Sequence, residues 1–454
     1  MKNVQDQTIV VLGLAKSGVA VAKLLHRFGA HVVVNDQKPR EQANGIEELE
    51  ALGIEVITGH HPDNIVHSGV ALVVKNPGIP YEAAPVAKAL SLGIPVVTEV
   101  EIAYQLSKAP IIGITGSNGK TTTTTLVGLI LQQAAVDAVV GGNIGTVLCE
   151  LAEKVTADQY LVAELSSFQL MGTQAFRPHI AALLNLYPAH LDYHHGMEQY
   201  LAAKMKIFAN QTADDFAIVP YDQPELRGNF EHLAAQTYYF SKQQKVSPGV
   251  YVEADKIWFS SHSGAVEEIM PVAQLSVPHL DNALAAIAIC KLAGADNESI
   301  VQVLSTFPGV EHRMEYVDTV NGVKYYNDSK ATNPEAASRA IQAFSEPVVL
   351  IAGGLDRGVD FHELVPLFKQ HLKALIALGQ TGEILMARAA EAGISERILV
   401  DTVDNAVLAA ASIAKPGDVV LLSPACASWD MFPSFEVRGS MFKDGVHRLK
   451  TSLA

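Results

Sequence analysis

The run Ile114-Thr115-Gly116-Ser117-Asn118-Gly119-Lys120-Thr121-Thr122 has the make-up of a phosphate-binding turn between a strand and a helix. Its glycines let the backbone turn so that successive amide N–H groups face phosphate oxygens, while Lys120 adds a mobile cation and Thr121 a hydroxyl that can hold magnesium. Ile114 stands where the general pattern has its first glycine, five positions before the Gly119-Lys120 pair. A bare turn would not need strand, loop, Lys-Thr and helix in this order, so ATP is expected at Gly116, Ser117, Asn118, Gly119, Lys120, Thr121 and Thr122. A later apolar run ends in Glu164, ahead of Leu165-Ser166-Ser167-Phe168-Gln169. Beside a phosphate loop, a carboxylate at the end of a buried strand supplies the hard oxygen that magnesium prefers. Without that loop it would be an ordinary strand-end acid.

Other candidates speak less clearly alone. Gly13-Leu14-Ala15-Lys16-Ser17-Gly18 lacks the middle glycine of the dinucleotide fingerprint, yet Asp36 ends the next strand, where a ribose-binding acid would stand. A diphosphate-containing ligand, NAD, or a tight turn with no ligand all remain open there. In Asn185-Leu186-Tyr187-Pro188-Ala189-His190-Leu191-Asp192, a single histidine past a strand is ordinarily a loop hydrogen-bonding residue. Lys204, on a helix expected over 197–208, would ordinarily be solvated. His312-Arg313, Tyr326-Asn327-Asp328-Ser329-Lys330-Ala331-Thr332-Asn333, Gly353-Gly354-Leu355-Asp356-Arg357-Gly358 and Ser423-Pro424-Ala425-Cys426-Ala427-Ser428-Trp429-Asp430 all read as loops following strands. Ligands of open α/β sheets bind beyond the carboxyl ends of strands, so these loops should form one rim with Lys330 and Arg357 suited to a small dianion.

Three α/β segments would position these groups. Strands over 8–12 and 31–34 flank a helix over 18–28, a βαβ opening that continues through strands at 71–75 and 95–98. A second segment restarts with a strand at 110–115, runs through strands at 160–164 and 180–186, and ends with a helix at 283–292 and the breaker Pro308-Gly309. The third alternates strands at 323–327, 348–352, 374–378 and 419–423 with helices. The fold class is therefore α/β in three domains: a Rossmann-like N-terminal domain, a central phosphate-loop ATPase with a mostly parallel sheet, and a Rossmann-like C-terminal domain. A chain of 454 residues with 49% hydrophobic and 18% charged residues and 33 glycines fits that class. The net charge of -15 argues against a nucleic-acid partner. Cys149, Cys290 and Cys426 form no metal or disulfide pattern, which suits a reducing compartment. Residues 1–7 are polar and no apolar run reaches the roughly 20 residues of a membrane helix, so a cytoplasmic protein with no membrane partner is expected.

Taken together, Gly-Leu-Ala-Lys-Ser-Gly at 13–18, Asn-Pro-Gly-Ile at 76–79, the phosphate loop, Gly-Asn-Ile-Gly at 142–145, Glu164 with Ser-Ser-Phe-Gln-Leu, His190, Lys204, His312-Arg313, Asn-Asp-Ser-Lys-Ala-Thr-Asn at 327–333 and Ser-Pro-Ala-Cys-Ala-Ser at 423–428 resemble the Mur ligases, in particular their D-glutamate-adding branch. The resemblance implies a UDP-substrate-binding domain at 1–98, an ATP-binding domain at 99–308 and a D-glutamate domain at 309–454 that closes over the acceptor. It implies that ATP phosphorylates the carboxylate of UDP-N-acetylmuramoyl-L-alanine and that the amine of D-glutamate attacks the acyl phosphate, in peptidoglycan precursor synthesis. A free carboxylate is a poor electrophile, and phosphate gives it a leaving group.

By the same resemblance, Lys120, Glu164, His190 and Lys204 are catalytic. Thr121, Glu164, His190 and a Lys204 carbamate derived from CO2 hold two magnesium ions. Carbamylation requires a neutral amine, so the site must lower the lysine pKa from about 10.4. Ser17, Asp36, Gln37, Asn76, Gly78 and Asn143 match the UDP-substrate pocket. Asn282, Arg313 and Asp328 match further ATP contacts, and Lys330, Thr332, Arg357, Ser428 and Phe435 match the D-glutamate pocket. Arg357 stands where some relatives have lysine, and Pro278-His279-Leu280-Asp281-Asn282 lacks the Gly-x-His-Asn start of relatives, so only Asn282 carries over there. A monomer is expected. The rival readings are a sister ligase with another acceptor (including folylpolyglutamate synthase), an NAD-dependent oxidoreductase built on the first turn, and a nucleotide sensor without turnover.

Overall fold

The computed structural model describes residues 4–43, 45–277 and 279–453, so residues 1–3 of the expected polar start and the Pro278 position lie outside the described residues. The chain divides into two compact units, Met1–Phe307 and Pro308–Ala454.

The first unit opens with a parallel sheet of β1 (Thr8–Leu12), β2 (His31–Asp36), β3 (Glu55–Thr58), β4 (Val70–Lys75) and β5 (Val96–Val97), in the order β3-β2-β1-β4-β5. β1 is apolar and almost wholly buried, as a parallel strand covered on both faces must be. The helix Lys16–Arg27 covers it with Ala20, Val21, Leu24 and Leu25. A second sheet follows: β6 (Ile111–Thr115), β7 (Ala138–Gly142), β8 (Tyr160–Glu164), β9 (Ile180–Leu183), β10 (Phe216–Pro220), β11 (Gln236–Ser241), β12 (Gly249–Glu253), β13 (Lys256–Ser260) and β14 (Val266–Pro271). Its order is β14-β13-β12-β11-β10-β9-β6-β8-β7, parallel from β7 to β12 and antiparallel through β13 and β14.

One apolar core runs through both sheets of this unit, and polar contacts lock their junction. Thr98 donates its hydroxyl to Gln169 O at 2.6 Å. The buried Glu99 carboxylate accepts the Cys149 N–H at 2.5 Å, and burial raises its pKa to about 7. Glu101, equally buried, accepts the amide N–H groups of Gln174, Ala175 and Phe176 at 2.8–3.1 Å.

The second unit holds β15 (Glu315–Val320), β16 (Val323–Asn327), β17 (Val348–Ala352), β18 (Leu372–Ala377), β19 (Glu396–Leu399) and β20 (Val419–Leu422), in the order β15-β16-β20-β17-β18-β19. Only the β15–β16 pair is antiparallel.

Several expected bounds move, and three of these differences bear on the site. The strand expected over 180–186 ends at Leu183, because the Asn185 side chain is taken up by the phosphate loop. The helix expected over 197–208 is α-helical through Met205 and then tightens to a 3₁₀ turn at Lys206–Phe208, where Lys206 reaches Met171 O at 2.7 Å. His312-Arg313 precede β15 rather than follow a strand. Because β15 runs antiparallel to β16, with Glu315 opposite Asn327, they still lie beside the carboxyl end of β16. Among the described residues no helix is long and apolar enough to cross a membrane.

Glu101→Ala should lower the free energy of unfolding by about 2 kcal/mol, since it leaves three backbone N–H groups, that of Phe176 buried, without their carboxylate acceptor. Glu101→Gln, which keeps an oxygen acceptor, should cost about half as much, both read from urea denaturation of the full chain.

Candidate active site

β6 lies between β8 and β9, with Ile114 beside Glu164 and Thr115 beside Leu183, so three loops leave neighbouring carboxyl ends together. The loop after β6 turns through Gly116 and through Gly119, whose φ is +81°. It is held from the loop after β9. Asn118 N–H donates to Asn185 Oδ1 at 2.9 Å, Asn185 Nδ2 returns to Asn118 O at 3.1 Å, and Ser117 Oγ donates to Tyr187 O at 3.0 Å. A Cβ on Gly119 would run into the buried side chain of Asn282, in the first turn of the helix Leu280–Leu292. Asn282, 163 residues further along the chain, therefore packs directly on the turn that opens the helix Lys120–Gln133.

Lys120 Nζ donates to Gly116 O at 2.8 Å and to Ser117 O at 3.0 Å. Lys204 Nζ donates to the same Gly116 oxygen at 2.8 Å and lies 4.6 Å from the centre of the Tyr200 ring. Lys204 is 1% exposed, and burial, then the charge of Lys120, lowers its pKa well below the usual lysine range. Glu164, also 1% exposed, accepts from Asn143 Nδ2 at 2.8 Å through Oε1. Its Oε2 is buried with no protein hydrogen-bond partner. A buried carboxylate oxygen is costly unless a cation or donor meets it, so Glu164 suits a hard divalent ion such as magnesium. Among the described residues no three His, Cys, Asp or Glu side chains gather to hold a metal, so unmodified side chains offer a sparse ligand set here.

His190 is an exposed residue in the left-handed conformation, with φ +55°, and its ring lies 5.1 Å from that of Phe168. The next helix, Leu191–His194, ends in a buried His194 that bonds Ser167 Oγ at 2.9 Å. Burial, then the charges of His190 and Lys204, lowers the His194 pKa to about 4, so His194 is neutral at physiological pH. All three residues thus share one electrostatic neighbourhood.

The first sheet gathers a second group. Gly13, at φ +98°, packs so closely on Asn76 that a Cβ would strike it, and Ser17 Oγ donates to Asn76 Oδ1 at 2.5 Å. Asp36 accepts the N–H of Leu14 at 2.7 Å and of Lys38 at 2.8 Å. Gln37 and Gly78 are exposed on the loops that follow β2 and β4.

In the second unit the adjacent ends of β16, β20 and β17 bring their loops together. Asp328 is buried, accepts Ser423 Oγ–H at 3.0 Å and Met314 N–H at 3.2 Å, and is raised by burial to about 6. Lys330 Nζ lies 5.8 Å from the centre of the Phe435 ring, and Ser329 Oγ donates to Phe435 O at 2.8 Å. Ser428 is buried, Thr332 half-buried, and Arg313 exposed. Arg357 is exposed and stacks over Trp429, the neighbour of Ser428, at 5.1 Å.

Three family models match consecutive stretches: Mur ligase MurD-like, N-terminal domain over residues 7–98, Mur ligase middle domain over 114–290, and Mur ligase, glutamate ligase domain over 312–426. Proteins named UDP-N-acetylmuramoylalanine--D-glutamate ligase from Geobacillus sp. (strain WCH70) and Bacillus subtilis (strain 168) are 49% and 50% identical over 450 residues, covering 98% of this chain and of each relative. The chain belongs to the Mur ligase family. Solved Mur ligases share its fold at lower identity. The UDP-N-acetylmuramate-alanine ligase MurC of Thermotoga maritima superposes with a TM-score of 0.54 at 20% identity, covering 98% of this chain and 99% of that one. The MurF ligase of Thermotoga maritima in complex with ADP gives 0.52 at 17%, covering 98% and 96%.

Within this Mur ligase, sequence reading passed over several side chains that shape the site. Lys75 ends β4 almost fully buried, and a lysine closing the apolar run Val-Ala-Leu-Val-Val was the available signal. Arg438, 1% exposed on the helix Phe435–Leu453, donates to Ser329 Oγ at 3.0 Å, Ser329 O at 2.9 Å, Cys426 O at 3.1 Å and Gly353 O at 3.5 Å. It thereby laces three loops, and burial lowers its pKa to about 10. Nothing in its local sequence separates it from a solvated helical arginine. Tyr193 and His194 likewise show their roles only through distant contacts.

Gly119→Ala should destabilise the chain by about 2 kcal/mol or more, because left-handed backbone costs an L-residue about 1–2 kcal/mol before the collision with Asn282 is counted. Adding Asn282→Ala should recover the collision part only, as seen by melting temperatures of the three variants and the wild type.

Proposed function

We propose that this chain is an ATP-dependent ligase that joins UDP-N-acetylmuramoyl-L-alanine to D-glutamate through an acyl phosphate, in peptidoglycan precursor synthesis. The observation that carries this reading is the likeness to ligases of that name at 49–50% identity over 98% of the chain. The phosphate loop with its two lysines and buried glutamate supplies the chemistry it requires.

In this reading the domains are 1–98 for the UDP substrate, 99–308 for ATP and 309–454 for D-glutamate. The loop amides from Gly116 to Thr122, Lys120, Asn282, Arg313 and Asp328 bind ATP. Ser17, Asp36, Gln37, Asn76, Gly78 and Asn143 hold the nucleotide-linked substrate. A carboxylate oxygen of its alanine attacks the terminal phosphorus of ATP, and ADP leaves. Lys120 stabilises the charge on the transferring phosphoryl oxygens, where a fixed cation is most effective in a partly dry site. Lys330, Thr332, Arg357 and Ser428 hold D-glutamate by its carboxylates, with the Phe435 ring beside Lys330. Its amine then forms the new C–N bond while the C–O bond to phosphate breaks, with release of a proton and phosphate.

Thr121, Glu164, His190 and a Lys204 carbamate would hold two magnesium ions, which when bound neutralise phosphate oxygens. The carbamate turns the buried cation into an anionic ligand. It is supported by the burial of Lys204 beside Lys120 at Gly116 O and by its lowered pKa, which favours the neutral amine that reacts with CO2. A cytoplasmic monomer completes the proposal.

Phosphate release with the muramoyl substrate, ATP and a panel of amino acids should occur with D-glutamate; equal turnover with L-alanine would defeat the acceptor assignment. Lys204→Ala should lower ligation by about 100-fold or more, as expected for loss of a metal ligand. It should also remove a carbamate carbon signal seen by NMR after ¹³C-bicarbonate labelling of the wild type. Full activity, or an unchanged signal, would refute the carbamate.

A further inference from the structure

Lys75 closes β4 with its ammonium turned back into the protein. Its partners are Ile79 O at 2.8 Å, Pro77 O at 3.0 Å, Asn76 O at 3.4 Å and the face of the Tyr81 ring at 4.6 Å. A buried lysine is tolerated here because carbonyl dipoles and a ring face replace its water. Burial still lowers its pKa, to about 8. From a different part of the unit, the Tyr193 hydroxyl approaches the same two carbonyls, at 3.1 Å from Pro77 O and 3.0 Å from Ile79 O, and lies 3.5 Å from Lys75 Nζ. One cation and one phenol therefore grip a single turn from its inner side.

This grip decides what the turn shows outside. In a trans peptide the C=O and the following N–H point in opposite directions, so drawing Pro77 O inward sends the Gly78 N–H outward. Pro77 and Pro80 carry no N–H, and that of Ile79 is taken by Asn76 O at 3.0 Å. Gly78 is exposed, and a methyl placed on it would meet no atom within 4 Å, so there is room beside this residue for a ligand group. Tyr193 also packs edge-on against Phe168 at 4.6 Å and His194 at 5.3 Å, which carries the contact to the helix that follows His190.

We propose that Lys75 and Tyr193 are positioning residues for the nucleotide-linked substrate: they fix the Pro77–Gly78 peptide with its N–H turned toward an anionic group of that substrate, and they fasten this turn to the Leu191–His194 helix. The inference rests on the reading that Asn76 and Gly78 belong to the UDP-substrate pocket. A residue that only supported the fold would weaken all substrates alike, whereas this grip acts on one.

The test varies the three substrates separately in steady-state kinetics of the full-length enzyme. Tyr193→Phe keeps the ring and removes only the hydroxyl. It should raise KM for the UDP-muramoyl substrate about 3- to 10-fold, the worth of about one hydrogen bond, with KM for ATP and D-glutamate and kcat nearly unchanged. Lys75→Met should raise the same KM by about 10-fold or more, and Lys75→Arg, which keeps donors and charge, should fall between it and the wild type. The double variant Lys75→Met with Tyr193→Phe should show much less than the product of the single effects, because both act on one peptide. An unchanged KM for the UDP-muramoyl substrate in folded Tyr193→Phe, or an equal rise in all three KM values, overturns the proposal. If Lys75→Met does not fold, Tyr193→Phe decides it alone. Calorimetry separates the two levels: wild-type protein that fails to bind the UDP-muramoyl substrate overturns the functional reading and this inference with it. Wild-type binding with equally tight binding by Tyr193→Phe overturns this inference alone.

Discussion

Two ammonium groups share one carbonyl oxygen: Lys120 and Lys204 both donate to Gly116 O at 2.8 Å. Like charges held together in a partly dry site repel strongly, and the carbonyl oxygens of Gly116 and Ser117 with the face of the Tyr200 ring offset part of that cost. The pair is therefore poised to lose charge or to gain an anion. In the proposed reading a triphosphate would satisfy Lys120 by gain, and addition of CO2 to the neutral Lys204 amine, with loss of a proton, would leave an anionic carbamate in place of a cation. The unmet Glu164 Oε2 is the complementary imbalance, an oxygen awaiting a cation. The ATP-dependent ligase chemistry proposed for this member of the Mur ligase family resolves both at once.

The surroundings hold this arrangement in place through contacts far apart in sequence. Asn185 fixes Asn118, Asn282 packs against Gly119, and Asn143 holds Glu164. Each is an amide side chain at an element's end, able to donate and accept without adding charge to a site already crowded with it. His194 follows the same rule. Burial keeps it neutral, so it can bond Ser167 without adding a further positive charge beside Lys204.

Much of this was legible in the residues. β1, β8 and β17 fell at their expected bounds because strands buried on both faces are nearly unbroken apolar runs, and β16, whose burial alternates, fell at its bounds as well. The phosphate loop was legible because its function is carried by consecutive residues. The outer strands β10 to β14 were not located. β10 is as buried as β1, so burial does not explain its omission, but β11, β13 and β14 are only partly buried, and β12 turns into β13 through Ala254 and Asp255, both at positive φ without a glycine to announce it. Lys75, Tyr193 and Arg438 escaped for another reason. Tyr193 and Arg438 meet carbonyls up to 116 and 109 residues away, Lys75 meets the carbonyls of the turn that directly follows it, and a charged or phenolic side chain looks alike in sequence whether water or carbonyls surround it.

Arg438 has a consequence for how such an enzyme can diverge. One guanidinium stitches together the turns at Ser329, Gly353 and Cys426, so none of them can lengthen or shift without dragging the other two. If Arg357 and Thr332 line the acceptor pocket as proposed, a change of acceptor preference would come by exchanging such side chains on the turns, and not by remodelling the turns. Insertions should accumulate elsewhere on the unit, leaving this corner of nearly constant length among chains that handle different amino acids.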